Sequence, residues 1–280
     1  MLLRLVAAEC YKLVKRPRSY IGLAAITVII MVIQMALYAD GKQYWDFLTQ
    51  SLSRSFEITG LDFNGNMVGF IILQTLIIQM PLLVALISGD IISGEVQTGT
   101  LRMMLTRPVS RSQIIAAKFI ASELYVLLLI VWMGILAWLG SVWMFGSGDI
   151  VVLKSEELVI IRNAETTMRF LQAFFAAFLG LSVINGFAFL LSAFSENSIT
   201  PIVAGMSTIM LFTIIGTFDL PIFDAIKPWL FTTHTVIWRN FFDAVPDWGF
   251  IAQSLWVLLI YMAFFYFVAL WRFKTKDFTL

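Results

Sequence analysis

Long apolar stretches alternate with shorter polar segments along most of the chain. Six stretches reach the roughly 20 residues that a membrane-spanning helix needs, and Glu123 is the single Asp, Glu, Lys, Arg or His residue within them. The predicted spans are Tyr20–Ala39, Met67–Ser88, Phe119–Phe145, Phe170–Phe194, Ile199–Phe218 and Trp248–Trp271. A helix closes its backbone hydrogen bonds within itself, so each stretch can cross lipid. The pattern predicts an all-α polytopic membrane protein with six transmembrane helices, forming a single domain over residues 1–280.

The residues before the first span have the periodicity of an amphipathic helix, at about 100° per residue. One face carries Leu3, Val6, Ala7, Cys10, Leu13 and Val14, and the opposite face carries Arg4, Glu9, Lys12, Lys15 and Arg16. Pro17 and Ser19 are expected to end this helix. The pattern predicts an interfacial helix over residues 1–18 that lies in the inner headgroup layer. The alternative is a cytoplasmic stub whose positive charges flank the first span.

The segment 89–118, between the second and third spans, combines basic residues with signals for helix starts and stops. Thr98 or Thr100 is expected to cap a short helix, and Arg107-Pro108 to end it. Ser110–Gln113 has the pattern of a capping box that opens the next helix. These signals predict a short helix across the base of two spans. An ordinary positively charged loop is the alternative.

Lysine and arginine are distributed unequally between the two sides of the predicted membrane. The side with residues 1–19, 89–118, 195–198 and 272–280 carries 12 basic residues in 62 positions, against 7 in 83 on the other side. The positive-inside rule places the denser side, with both termini, in the cytoplasm. We therefore expect a multi-pass protein of the plasma (bacterial inner) membrane.

Composition and the absence of several known motifs exclude some classes of function. The chain of 280 residues is 60% hydrophobic and 13% charged, whereas soluble domains carry about 25% charged residues. A single cysteine excludes an internal disulfide, and the lone His234 has no second ligand near it in the sequence. No P-loop, H-E-x-x-H, G-x-S-x-G or C-x-x-C motif occurs. We therefore predict no catalytic or metal site, no cofactor in this chain and no nucleic-acid partner.

The predicted outer loop 219–250 is rich in aromatic residues and proline, a composition suited to the headgroup boundary. The segment 232–244 is expected to form a short helix half-sunk in the outer leaflet, and a plain loop with an aromatic belt is the alternative. Inside the spans, Glu123 is expected to snorkel or to be paired structurally. Four amide residues could line a pathway or join helices: Gln34, Gln74, Gln79 and Asn185.

One motif carries a resemblance to a known family. The run Asp90-x4-Glu95-x3-Gly99-Thr100-Leu101-x3-Leu105-x2-Pro108-x-Ser110-Arg111-x6-Lys118 resembles the signature of type-2 ABC transporter permeases. The order of elements around it, an N-terminal cytoplasmic helix, six spans and a closing outer loop, is also similar to that family. The resemblance covers the whole chain.

The resemblance implies a cytoplasmic coupling helix at Thr98–Arg107 that sits in a groove of a separate ATPase subunit. Asp90, Glu95 and Arg111 would tie this helix to the membrane core and to the N-terminal helix. A second, smaller contact would come from Glu196 and Asn197. The full set of implied ATPase-coupling residues is Asp90, Glu95, Gly99, Thr100, Leu101, Arg102, Leu105, Arg107, Pro108, Arg111, Glu196 and Asn197. In the family, short re-entrant helices occupy the position of segment 219–250.

By the same resemblance, the chain is expected to be a permease subunit that is not itself an enzyme. Two permease chains, expected to form a homodimer in membrane lipid, would bind two copies of a cassette ATPase that holds ATP and Mg. The expected activity is export of an amphipathic or small substrate. A stand-alone secondary transporter or membrane scaffold is the alternative, although repeats and midplane charges typical of secondary transporters are lacking.

Overall fold

A computed structural model describes residues 2–50, 63–76, 79–106, 108–153, 158–218 and 220–276. Within these ranges, six helices are long and apolar enough to cross a membrane, as predicted. They are Pro17–Gly41, Gln79–Gln97, Arg111–Phe145, Asn163–Phe194, Ile199–Thr217 and Trp248–Thr275, and a shorter apolar helix covers Gly65–Leu76. The predicted bounds Met67–Ser88 of the second span are wrong, because its described residues belong to two helices, Gly65–Leu76 and Gln79–Asp90. The prediction of an all-α polytopic membrane protein is confirmed.

The elements are numbered in chain order. The first half contains α1 (Leu2–Lys15), α2 (Pro17–Gln50), α3 (Gly65–Leu76), α4 (Gln79–Asp90), α5 (Ser93–Gln97), α6 (Thr100–Leu105), α7 (Arg111–Gly134), a π-helical segment (Ile135–Leu139) and α8 (Gly140–Phe145). The second half contains β1 (Ile150–Leu153), β2 (Leu158–Ile161), α9 (Asn163–Phe194), α10 (Ile199–Thr217), α11 (Pro221–Asp224), a 3-10 turn (Lys227–Trp229), α12 (Phe231–Thr235), a 3-10 helix (Ile237–Phe242) and α13 (Trp248–Thr275).

Helix α9 lies at the centre of the bundle. It packs against α4, α7, α10 and α13, and buried residues recur along its length from Thr166 to Ala193. Less than a quarter of the residues in the spans of α2, α10 and α13 are buried. Their outward side chains are apolar, among them Val28, Val203 and Phe267. Such a surface suits contact with lipid rather than water.

The bundle has two distinct ends. We call base the end that holds α1, α5, α6 and the C-terminal end of α13. There, Arg111 donates hydrogen bonds to the backbone carbonyls of Lys274 and Lys276. We call top the opposite end, with β1, β2, α11 and α12. At the top, Arg169 of α9 donates to the carbonyls of Phe241 and Asp243 and so holds the 3-10 helix against the bundle.

Two antiparallel strands, β1 and β2, lie between the third and fourth predicted spans, although the sequence predicted helices alone. They pair in the register Ile150 with Ile161 and Leu153 with Leu158. The short apolar run 150–153 faces a second apolar run, and Val151, Val152 and Val159 are buried. Asp149 then accepts a hydrogen bond from the backbone N–H of Asn163 and starts α9 earlier than predicted.

The short helices before the last span are present as predicted, but their packing differs from the expected position in the outer leaflet. Trp238, Phe241 and Phe242 are buried in the protein core, while Trp229 and Trp248 are exposed. The 3-10 geometry of Ile237–Phe242 brings residues three apart onto one side. Aromatic side chains that the sequence suggested for a headgroup belt therefore close the top of the core.

Helix α1 is present, but the face that it buries is not the predicted apolar face. Glu9 of the predicted polar face is 2% exposed, whereas Leu3 of the apolar face is 83% exposed. The helix packs against α7, and Val6 and Leu13 are buried beside Glu9. The reason is electrostatic, because buried Lys118 of α7 draws the Glu9 carboxylate inward. Pro17 begins α2 instead of merely ending α1, and Ser19 lies within α2.

Candidate functional site

The loop at the base folds into two short helices, α5 and α6, joined by a tight turn. Gly99 makes this turn with a φ of 72°, a left-handed conformation that favours glycine. Neither threonine caps α6 through its side chain, contrary to the prediction, because Gly99 itself is the N-cap residue. The predicted capping box at Ser110 and Gln113 is confirmed, with both reciprocal hydrogen bonds present.

The N-terminus of α5 is held by a serine from another span. The Ser192 Oγ of α9 accepts hydrogen bonds from the backbone N–H groups of Ile92 at 3.1 Å and Ser93 at 3.0 Å. These are among the backbone groups that a helix start leaves without partners. At the other end of α5, the Gln97 side chain accepts from both the N–H and the hydroxyl of Ser198, at the start of α10. Helix α5 is therefore fixed to both α9 and α10.

A buried lysine lies at the centre of the base. Lys118 of α7 is 0% exposed, and its Nζ lies 2.7 Å from Glu95 Oε2 and 2.9 Å from Glu9 Oε2. It also donates to the carbonyl of Ile91. A buried charge of this kind is tolerated only when it is paired and hydrogen-bonded. Lys118 thereby joins α1, α5 and α7 at one point.

Further ion pairs extend from this lysine to the start of α2. Lys12 lies 2.7 Å from Glu9 and 3.0 Å from Glu95. Asp90, at the end of α4, is paired with Arg18 at 2.9 Å and with Arg16 at 3.6 Å. We call the set of Glu9, Lys12, Arg16, Arg18, Asp90, Glu95 and Lys118 the base network. It contains four cations and three carboxylates, so the charges nearly cancel.

The base network also keeps the Lys12 side chain protonated. Burial favours the neutral amine, but the hydrogen bond to Glu9 and the charge of Glu95 outweigh burial and raise the pKa of Lys12 above its usual value. Lys12 therefore stays protonated throughout the physiological range. Close packing adds to the constraint, since a Cβ atom at residue 94 would lie 2.5 Å from Asp90 Oδ1 and would force the Asp90 carboxylate to move.

The structure places most of the predicted coupling residues at the base. Leu101 is buried and anchors α6, Leu105 is half-buried, and Arg102, Thr100 and Pro108 are exposed. Glu196 and Asn197 lie beside the loop, where the Asn197 side chain accepts a hydrogen bond from the backbone N–H of Thr200 in α10 and Glu196 approaches Lys276 at 3.7 Å. Asp90, Glu95 and Arg111 make the contacts given above. Arg107 lies outside the described residues.

The four intramembrane amides have different surroundings. Gln34 is buried and donates to the Leu136 carbonyl in the π-helical segment and to the Ser141 hydroxyl. It satisfies a carbonyl where the regular helical hydrogen bonding is altered. Asn185 is buried and donates to Glu123, so both amides join helices. Gln74 and Gln79 are half-buried.

Glu123 belongs to a small polar cluster that links three spans. Ser182 and Asn185 of α9 donate to its two carboxyl oxygens, at 2.6 Å and 2.7 Å. Ser88 of α4 in turn donates to the Asn185 side-chain oxygen. Glu123 is thus held by hydrogen bonds inside the bundle, in agreement with the expectation of a structurally paired residue.

Sequence reasoning missed several residues of the base. Ser192 and Gln97 gave no signal, because a serine or glutamine that caps a distant helix has no local pattern. Lys118 and Glu9 were visible as charges, but their burial depends on the approach of α1 to α7. Among the residues that the structure describes, no group of three or more His, Cys, Asp or Glu side chains is placed to hold a metal ion.

Comparison with known proteins gives a family. The sequence profile described as "Protein of unknown function (DUF2705)" matches residues 27–279. The chain belongs to this family. The match begins within α2, so that α1 and its contribution to the base network precede the matched region.

A curated relative provides a further comparison. The chain is 26% identical over 208 residues to a "Probable ABC transporter permease protein NosY" of Pseudomonas aeruginosa. The aligned region covers 64% of this chain and 69% of that protein. The DUF2705 chain is therefore similar to a permease over most of its length.

Proposed function

We propose that this DUF2705 protein is the membrane permease subunit of an ABC transporter, and that α6 is the element on which a separate ATPase acts. The similarity to a probable ABC permease supports the general class. The motif from Asp90 to Lys118 supports the type-2 subfamily. The single observation that carries the proposal is a short, exposed helix, α6, that directly follows α5, which a buried ion-pair network fixes to α1 and α7.

The geometry of α6 suits the transmission of force. Leu101 is buried beneath the helix, whereas Met103 on its outer side is 66% exposed. An exposed methionine is a common feature of protein-binding surfaces, because its side chain adapts to a partner's apolar groove. Force applied to this surface would reach α1 and α7 through Glu95 and Lys118, whose contacts are short and buried.

The further parts of the proposal concern the assembly. The base faces the cytoplasm, so both termini are cytoplasmic, and the protein lies in the plasma membrane. Two copies of the chain form a homodimer, and each copy contacts one ATPase, which binds ATP and Mg. Closure of the ATPase pair moves the two α6 helices and opens a path outward, so the complex exports its substrate. The substrate is small or amphipathic, since a large extracytoplasmic domain is lacking among the described residues.

The experiment is co-purification of the tagged full-length permease with a cassette ATPase from the same cells. Met103→Glu introduces a charge on the outer side of α6, and we expect at least about tenfold less ATPase to be recovered. Val245→Glu is the matched control, because Val245 is equally apolar and 83% exposed, but lies in a loop at the top. It should leave recovery unchanged.

Two outcomes would contradict the proposal. Equal recovery with Met103→Glu and Val245→Glu would show that α6 is not the docking element. Absence of any ATPase from the wild-type preparation would favour a stand-alone secondary transporter or scaffold. Thermal unfolding of both variants serves as the control for folding, since both positions are exposed and substitutions there should change stability little.

A further inference from the structure

A polar pocket lies in the upper half of the bundle, away from the base. It has a volume of about 300 Å³ and is enclosed by α4, α9, α10, α12 and the 3-10 helix that follows. Its polar lining consists of Thr213, Thr217, Thr232, Thr233, Thr235 and Arg239. Five threonines and an arginine thus line one pocket, whereas the outward side chains of the surrounding bundle are largely apolar. The permease motif accounts for none of them.

Two of the threonine hydroxyls lack hydrogen-bond partners among the described residues. Thr232 is 5% exposed, and neither its Oγ1 nor that of Thr233 makes a hydrogen bond there. The hydroxyls of Thr213, Thr217 and Thr235 already donate to backbone carbonyls. A buried hydroxyl without a partner is destabilising, and a ligand that accepts from it offsets this cost. Thr232 and Thr233 therefore have donors available for a ligand in the pocket.

Arg239 supplies the positive charge of the pocket. It is exposed and lies at the rim, with its guanidinium carbon 5.9 Å from the centre of the Trp238 ring. No ion pair joins it to the parts of the chain that the structure describes. A guanidinium group with two hydroxyl donors nearby is suited to the oxygens of a phosphate or carboxylate.

An apolar cavity of about 50 Å³ adjoins the polar pocket. The two spaces share the lining residues Pro81, Ile184 and Thr235. The remainder of the smaller cavity is apolar, with Leu76, Met133 and Leu181 among its lining residues. A ligand that occupies both spaces needs a polar anionic group at one end and an alkyl group at the other.

We propose that this chamber binds an amphiphile with a phosphate or carboxylate head. The head lies between Arg239, Thr232 and Thr233, and the start of the alkyl chain enters the apolar cavity. This binding needs no ATPase, so the proposal goes beyond the permease function and is tested separately from it. Both an anionic membrane lipid and a soluble alkyl phosphate have the required chemistry, whereas phosphatidylcholine has no net charge because its choline offsets the phosphate.

The test is calorimetric titration of the full-length protein in phosphatidylcholine nanodiscs, with the heat of empty nanodiscs subtracted. Octyl phosphate is the probe, inorganic phosphate represents a free anion, and octyl glucoside represents a neutral amphiphile. We expect octyl phosphate to bind more tightly than either of the others. Arg239→Gln should weaken its binding by about tenfold or more, since a charge-assisted contact is lost.

Matched variants separate binding from folding and from partition into lipid. Arg162→Gln removes the same charge from an exposed arginine at the top, outside the pocket, and should leave affinity unchanged. Thr232→Val removes the hydroxyl and should weaken binding about threefold to tenfold, while Thr232→Ser restores it.

Three results would contradict the proposal of an amphiphile site in the chamber. Equal affinity of Arg239→Gln and Arg162→Gln for octyl phosphate would exclude a site at Arg239. Equal affinity of Thr232→Val and Thr232→Ser would exclude the hydroxyl as a ligand. Inorganic phosphate or octyl glucoside binding as tightly as octyl phosphate would show that the chamber does not recognise an anionic amphiphile.

Discussion

Ser192 shows how a single side chain can fix an element far away in the sequence. Its Oγ accepts from two buried N–H groups at the start of α5 and also contacts the Ser93 hydroxyl at 3.2 Å. Helix α5 has only five residues, too few to be stable from its own hydrogen bonds. Its position therefore depends on the cap supplied by Ser192 of α9 and on the hydrogen bonds that its own Gln97 accepts from Ser198 at the start of α10.

We expect Ser192→Ala to lower the free energy of unfolding by about 1–3 kcal/mol, because two buried N–H groups lose their acceptor. Ser207→Ala is the control, since Ser207 lies on an exposed side of α10, and it should change stability by less than about 0.5 kcal/mol. Unfolding by SDS in mixed micelles gives both values. Equal effects of the two substitutions would show that the Ser192 cap contributes little.

At the scale of elements, the base network explains why α1 packs on the bundle with a charged residue inward. An apolar face alone would bind α1 to the headgroup layer, but Glu9 has a buried cationic partner in Lys118. Glu95 brings α5 to the same lysine. The ion pairs of Lys118 with Glu9 and Glu95 thus hold α1 and α5 against the span α7.

Lys118→Met removes the central cation and leaves two carboxylates buried with fewer partners. We expect a loss of about 3–5 kcal/mol of stability, as found when one member of a buried ion pair is removed. Hydrogen exchange should become faster in α1 and α5 than in α12, which has no contact with the network. Lys15→Met, at an exposed position of α1, should leave exchange unchanged.

Uniform exchange rates across the Lys118→Met protein would contradict this role for the lysine. Faster exchange confined to α7 would also do so, because the network predicts that the elements paired with Lys118 loosen together. Since removal of a buried charge can abolish folding, Glu9→Gln provides a second, milder variant. It should loosen α1 and leave α5 close to its wild-type exchange rate, because Glu95 keeps its own contact with Lys118.

For the whole molecule, orientation in the membrane follows from the unequal distribution of lysine and arginine. The base carries the denser positive charge, so we expect it to face the cytoplasm. In a Cys10→Ala background, Met103→Cys at the base should react with an impermeant maleimide only after the membrane is opened. Ala164→Cys, exposed at the top, should react in intact cells. The reverse pattern would show that the base faces away from the cytoplasm, where α6 could not contact a cytoplasmic ATPase.

The sequence by itself determined the class of the protein and the number of its spans, although the second span lies at Gln79–Gln97 instead of Met67–Ser88. The apolar stretches are long enough to cross a membrane and carry almost no charge. They must form helices, because lipid offers no hydrogen-bond partners to an exposed backbone. Local signals also sufficed at Ser110 and Gln113, where the capping box involves residues three apart. Likewise, the motif from Asp90 to Lys118 pointed to the base loop as a site, because its charges stand out in an apolar chain.

Only the tertiary structure decided which of these charges are buried and what they contact. Glu9 and Lys118 are 109 residues apart, and Ser192 caps a helix 99 residues earlier in the chain. The threonine chamber likewise requires α10 and α12 to come together. Such contacts depend on how the helices pack, and helix packing is set by the shapes of whole surfaces rather than by local spacing. A periodic pattern reports which face of a helix is apolar, but not which charge on a neighbouring helix will meet it.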